Sequence, residues 1–177
     1  MKLLKLYIAA SLDNYIARPD GSLDWLTERP NPEQSDFGYH AFYDTIDTII
    51  MGRKTYEEVL SFGVDWPYVG KDTYVVTSDS SFLCPTPDTR VISQDVPQHI
   101  SNLRKGQGKH IWVVGGGGLI ETCLNAQLID ELIITIIPVV LGNGIPLFRN
   151  GVDESEFRLL NTETYSGSTV VLRYGRI

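Results

Sequence analysis

The feature that most constrains this chain is the apolar run Ile111-Trp112-Val113-Val114, which stops at once on Gly115-Gly116-Gly117-Gly118. It reopens as Leu119-Ile120-Glu121-Thr122-Cys123-Leu124, whose apolar residues recur at helical spacing. The segment reads as strand, tight turn and helix. Without Cβ atoms such a turn reaches positive φ and lets a ligand approach its amides, while the helix start behind it offers unpaired N–H groups and partial positive charge. A pyrophosphate suits that position. A purely structural turn is the other reading, although one or two glycines would serve it. Counting G-x-G-x-x-G from Gly115 lands on Ile120 and from Gly116 on Glu121, so this is not the usual Rossmann fingerprint.

Charge narrows the partners. Against 15 Lys+Arg stand 22 Asp+Glu, a formal net charge of -7, and no run of basic residues interrupts it. Nucleic acid and anionic membrane are disfavoured, whereas an anionic ligand needs only a few cations concentrated locally. With 177 residues, 42% of them hydrophobic, the chain fits one compact domain spanning 1–177. Cys84 and Cys123 form no C-x-x-C and nothing resembling a signal peptide precedes them, so a reducing cytoplasm is expected. His40, His99 and His110 lack metal-ligand spacing, and no metal is expected.

The apolar opening Leu3 to Ala10, broken by Lys5, is too short to span a bilayer and reads as a buried first strand. Ser11 to Leu26 mixes turn formers with isolated apolar residues and reads as a long loop, and Pro30 and Pro32 continue the irregular stretch. From Ser35 or Asp36 a helix is expected, because Tyr39, Phe42, Tyr43 and Ile46 fall at i, i+3, i+4 and i+7. Asp47 to Gly52 then reads as a buried strand feeding a helix from Arg53 to Leu60, a second strand-glycine-helix junction with two cations at its start. Asp72 to Ser78 is a third strand, Val91-Ile92 a short one, and Val96 to Arg104 a helix. The β-branched run Leu132 to Ile137 is expected to lie centrally, covered on both faces. A loop from Pro138 to Phe148 follows, and Glu156 to Tyr165 with Thr169 to Tyr174 closes the chain as a hairpin. Strands alternating with helices, then a hairpin, indicate an α/β fold with a mostly parallel central sheet and antiparallel strands at one edge.

Four segments now carry a resemblance. Met51-Gly52-Arg53-Lys54-Thr55-Tyr56-Glu57 and Val113-Val114-Gly115-Gly116-Gly117 resemble the two signature segments of the dihydrofolate reductase superfamily. Ala9 to Ala17 and Pro138 to Phe148 are similar to its riboflavin-biosynthesis branch, the reductase domain that acts on a ribosylaminopyrimidine. The resemblance spans nearly the whole chain and implies a single-domain dihydrofolate reductase-like fold. It further implies hydride transfer from NADPH to a small heterocycle and a homodimer, for which the β-rich C-terminal third would supply apolar surface. On this resemblance Gly52, Arg53, Lys54 and Thr55 meet the 2′-phosphate and ribose of the cofactor, with Thr77 and Ser78 beside them. A cationic pair at a helix start with free amides fits that role, and a solvated basic pair is the plainer alternative. Val114, Gly115, Gly116, Gly117 and Gly118 match the pyrophosphate junction, with Leu119 and Ile120 packing its helix. Ala9, Ile16 and Ala17 match the nicotinamide pocket, and the loop from Asp13 to Trp25 matches a mobile segment closing over it.

For the proton that must accompany hydride, the resemblance points to Asp36, which precedes the Met-Gly-Arg arginine by the folate branch's ungapped distance. The competing reading is a helix cap, since Asp is favoured at that place for unrelated reasons. Asp24, beside Trp25, and Asp13 are further acids the loop could bring near, and Asp24 and Trp25 are candidate substrate contacts. Asp24-Trp25-Leu26 departs from the folate branch's tryptophan-proline pair, and no arginine stands out for a glutamate tail. A true dihydrofolate reductase and a NADP(H)-binding module without turnover remain the alternatives.

Overall fold

A computed structural model describes residues 1–31 and 34–177; the reading at Pro32 lies outside the described residues. The first strand, β1 (Leu4–Ser11), forms where expected, but the loop after it is more ordered than its turn residues imply. It holds a short strand, β2 (Tyr15–Ala17), and one helical turn, α1 (Asp24–Thr27).

The expected helix from Ser35 or Asp36 through Ile46 is the main correction. Only α2 (Tyr39–Tyr43) is helical, and Ile46 opens the next strand, β3 (Ile46–Gly52). The chain leaves the helix because its last carbonyls find other donors: the Thr45 hydroxyl donates to Phe42 O at 2.7 Å, and Lys71 Nζ to Tyr43 O at 3.2 Å. Ile46, wholly buried and paired with His110, belongs to the sheet.

Strand and helix then alternate as the sequence pattern predicts: α3 (Arg53–Ser61), β4 (Asp72–Val76), β5 (Thr89–Ile92), α4 (Val96–Arg104), β6 (His110–Gly115), α5 (Gly117–Asn125) and β7 (Glu131–Ile137). A two-residue strand, β8 (Ile145–Pro146), pairs antiparallel with β2, and the hairpin β9 (Phe157–Tyr165) and β10 (Thr169–Arg176) ends the chain. The eight-stranded sheet runs β5-β4-β3-β6-β1-β7-β10-β9, parallel except where β10 meets β7 and β9. Thus β6 and β1 hold the middle, and β7 is interior but off-centre.

Alternation along the strands decides what each face buries. Leu4, Leu6, Ile50 and Val113 pack with Ile100 of α4 and Leu119, Ile120, Cys123 and Leu124 of α5. Ile49, Met51, Trp112 and Ile133 pack on the other face with Phe42 of α2 and Tyr56 and Val59 of α3. Emptying a wholly buried position such as Ile50 by truncation to Ala would cost about 2–5 kcal/mol. The consequence for function is that α3 and α5 leave neighbouring strands toward opposite faces. No helix among the described residues is long and apolar enough to cross a membrane.

Candidate functional site

Where adjacent parallel strands send their helices to opposite sides, their carboxyl ends splay apart into a crevice. Here β3 and β6 do so, with Met51 opposite Gly115 in register. The two helix starts come close: a Cβ on Gly116 would stand 3.4 Å from the Thr55 hydroxyl and 3.9 Å from Gly52 Cα. Both N-cap positions, Gly52 and Gly116, are glycine, so neither side chain can cap the N–H groups behind it. Two positive helix ends and a threonine hydroxyl therefore face one another across the crevice.

The glycine run divides into two jobs. Gly115 at φ +150° and Gly116 at φ +93° hold backbone that a branched residue resists. Gly117 and Gly118 make room for Arg149, whose Cδ and Nη1 lie 3.1 Å from where their Cβ atoms would be. The arginine continues to Glu121, its Nη1 3.2 Å from Oε2. Nothing local in the sequence marked Arg149. The signal for it was the surplus of glycines over what a turn needs.

At the start of α3, Arg53 is already engaged. Its Nε donates to Glu57 Oε1 at 2.7 Å, its Nη1 to Asp79 Oδ2 at 3.4 Å, and its guanidinium lies 4.4 Å over the Phe82 ring. Lys54 is exposed and has no ion pair among the described residues. Thr77 accepts the Asp79 amide on its hydroxyl at 3.2 Å, and Ser78 is exposed beside it. Asp79, unnoticed in the sequence, thus places a carboxylate beside the cation expected to meet a 2′-phosphate.

Ala9, half-buried on β1, lies in register with Thr135 of β7, whose buried hydroxyl makes no hydrogen bond among the described residues. Ile16 and Ala17 sit on β2, held by β8. Asp13 ties these loops together: one oxygen accepts Ser11 Oγ at 2.6 Å and the Leu141 amide at 3.0 Å, the other the Gly142 amide at 2.7 Å. The Ser11 hydroxyl, then those amides, hold its pKa down to about 2. Asp24 is clamped by Arg18 through contacts of 2.7 and 2.8 Å, and that arginine lowers its pKa too. Trp25 is buried with its indole N–H unpartnered among the described residues.

Asp36 lies two residues before Gly38, the N-cap of α2, and its carboxylate accepts amides at the start of that helix. Its Oδ1 accepts the Gly38 amide at 3.0 Å, and its Oδ2 accepts the His40 amide at 2.9 Å and meets His40 Nδ1 at 2.6 Å. The His40 amide foremost, with that ring and the Gly38 amide, pulls its pKa to about 2. Behind it Tyr7 donates to Phe37 O at 3.1 Å, stacks on Phe42 at 4.5 Å, and is pushed by burial to about 12. Tyr39 and Tyr43 of α2 and Tyr68 each pack edge to face on Trp112 of β6.

Comparison with known proteins agrees with this architecture. The model of the RibD C-terminal domain matches residues 2–171. Two uncharacterized Bacillus subtilis (strain 168) proteins are similar: YwjB, 43% identical over 97% of this chain and 96% of its own, and YyaP, 31% identical over 96% and 92%. A provisionally named riboflavin biosynthesis protein of Shewanella sp. PV-4 superposes with a TM-score of 0.88 at 34% identity, covering 99% of both chains. A diaminohydroxyphosphoribosylaminopyrimidine deaminase/5-amino-6-(5-phosphoribosylamino)uracil reductase of Thermotoga maritima shares the fold alone, with a TM-score of 0.72 at 16% identity over 99% of this chain and 57% of that one. In sequence and in fold, the chain belongs to the RibD C-terminal domain family.

Proposed function

We propose that this protein is a NADPH-dependent reductase of a small heterocycle, an aminopyrimidine or a related pterin. The observation that carries the reading is the meeting of two uncapped helix starts, α3 and α5, across the β3–β6 crevice, with Arg53, Lys54 and Thr55 at one and the glycine run at the other. Such a place suits a dinucleotide: amides of Gly117 and Gly118 for the diphosphate, and Arg53 and Lys54 for a 2′-phosphate. The nicotinamide, when bound, supplies hydride. The chain's own part is to orient the ring near Ala9, Ile16 and Ala17, and to hold the Asp13-tied loops over it so that water is excluded.

Hydride addition to a C=N bond leaves a nitrogen that must take a proton. Asp36, Asp13 and Asp24 all carry lowered pKa values, so the carboxylates fit best as acceptors that fix a protonated or N–H-bearing substrate edge, with water as the proton source. The same observation favours the second reading, a NADP(H)-binding module without turnover. Against a true dihydrofolate reductase stand Asp24-Trp25-Leu26 in place of that branch's tryptophan-proline pair and the lack in the sequence of an arginine matching its glutamate-tail contact. Loss of NADPH absorbance on adding a panel of oxidised aminopyrimidines and pterins tests the enzyme. Tight NADPH binding with no turnover on any of them would leave the module.

We also propose a homodimer in a reducing cytoplasm, which two free cysteines suit. On the α5 side, Leu132, Ile134 and Ile136 of β7 with Leu172 and Tyr174 of β10 border an open apolar hollow of about 470 Å³, so this face is only partly covered. Beyond it β9 is an exposed edge carrying Leu159 and Leu160. A second copy would shield both.

A further inference from the structure

Arg149 lies where helix electrostatics disfavours a cation. Its side chain runs along the first turn of α5, with Cδ 3.1 Å from the place of a Cβ on Gly117 and Nη1 3.1 Å from that of a Cβ on Gly118. This is the positive end of the helix, where the first amides have no acceptor within it and Gly116 offers no capping side chain. A cation laid there calls for an anion.

The backbone on either side fixes the course of the arginine. Before it, Leu147 is wholly buried with its amide donating to Asn14 O at 2.8 Å, and Pro146 O lies 3.3 Å from the place of a Gly117 Cβ. After it, Gly151 O accepts Asn125 Nδ2 at 2.9 Å and the Asp153 amide donates to Asn125 Oδ1 at 2.8 Å, which fastens the segment to the far end of α5. One carboxylate meets the guanidinium: Glu121 Oε2 lies 3.2 Å from Nη1, with the arginine side chain 53% exposed and without an aligned hydrogen bond among the described residues. Arg18 and Arg104, by contrast, each place two hydrogen bonds on a carboxylate. A single exposed ion pair is weak, and it leaves most of the five guanidinium donors free for another anion.

We propose that Arg149 is a diphosphate-binding residue, held by Glu121 in the free protein and given up by it to the diphosphate of a dinucleotide on the Gly117 and Gly118 amides. The inference rests on the dinucleotide reading of the β3–β6 crevice. A diphosphate supplies the negative charge that the helix start and the arginine both lack, and its oxygens match the planar fork of a guanidinium. Glu121, itself partly exposed, then turns to water. Arg53 and Lys54 remain for the 2′-phosphate, so the two helix starts divide the phosphates between them.

Fluorescence titration of the full chain with NADPH and NADH tests this, together with phosphorus NMR of NADPH bound at saturation. Arg149→Ala should weaken both cofactors by the same factor, about tenfold or more, and keep the preference between them. Arg149→Lys, which retains the charge without the fork, should recover part of the loss. Glu121→Gln should strengthen both by about threefold, because it removes a rival for the guanidinium. In the saturated Arg149→Ala complex the diphosphate resonances should shift while the 2′-phosphate resonance stays, a split that a loss of stability would not produce. Wild-type affinity in Arg149→Ala, a loss confined to NADPH, unmoved diphosphate resonances, or weaker binding in Glu121→Gln would each overturn the role of Arg149 and leave the crevice reading standing. A wild type that binds neither dinucleotide would overturn that reading, and this proposal with it.

Discussion

Thr55 and Gly116 face each other across the crevice, with room for no more than contact distance between the threonine hydroxyl and any Cβ placed on the glycine. Because these residues open helices on opposite faces of the sheet, their approach fixes the gap between the two helix starts. Gly116→Val should fill that gap and strain backbone at φ +93°, at a cost of about 1–3 kcal/mol. Circular dichroism should show a folded chain that no longer binds NADPH. A mutant that binds normally would remove the dinucleotide from this crevice.

Gly117 answers to a different neighbour. Gly117→Ala should destabilise the wild type because its Cβ would press on the Arg149 side chain at 3.1 Å. In an Arg149→Ala background the same change should cost less, a coupling of about 0.5–3 kcal/mol read from a thermal double-mutant cycle. Additive costs would mean that Arg149 is not the reason for this glycine.

Cofactor choice should turn on Arg53 and its rival partner Asp79. Arg53→Ala should weaken NADPH by about tenfold or more and leave NADH nearly unchanged, since the lost contact is to the extra phosphate. Asp79→Asn should act in the opposite sense, freeing the guanidinium and strengthening NADPH, most visibly at low salt. Equal losses for both cofactors in Arg53→Ala would place the arginine elsewhere than on the 2′-phosphate.

Acid sensitivity follows from Asp13 and Asp36, both held near a pKa of about 2 against an ordinary value of 3.8. Lowered pKa values in the folded state mean that their contribution is complete above about pH 4 and is lost as pH falls toward 2. The melting temperature should therefore hold from neutrality to about pH 4 and drop below it, less steeply in Asp13→Asn. If that mutant loses stability as steeply as the wild type, the Asp13 clamp is not a source of the acid sensitivity.

Asp36→Asn separates capping from chemistry. Asn keeps an acceptor for the amides at the start of α2 but carries no charge, so the stability that Asp36 adds above about pH 4 should be lost in part while the fold is kept. Single-turnover hydride transfer should nonetheless slow if the carboxylate fixes the substrate, with NADPH affinity unaltered. A wild-type rate and pH profile in this mutant would confine Asp36 to the start of α2.

The homodimer is open to light scattering. Leu172→Lys and Leu160→Lys place charge on the apolar hairpin face and should yield monomers that keep their fold. A wild type that is monomeric at working concentration would end that proposal.

What the sequence determined by itself was the order of the longer elements and the two strand-glycine-helix junctions. Long apolar runs and strong punctuation by glycine are local signals, and β3, α3, α4, β6, α5, β7 and the hairpin all carry them. Where local period met tertiary competition, the sequence misled. Ile46 continues the helical spacing of Tyr39 and Phe42, but its burial and its ladder partner His110 lie in the sheet. The pairing of β2 with β8 joins segments some 130 residues apart through two positions, too few to leave a pattern in either. The off-centre place of β7 is likewise set by β1 entering between it and β6, which no run of residues within β7 encodes. At the site, the glycines and the cations were legible as types. That Arg53 would find Asp79, that Arg149 would lie across Gly117 and Gly118, and that Lys5 and Arg173 would share Glu131 depend on side chains from distant segments meeting in space. Only the folded chain brings them within reach.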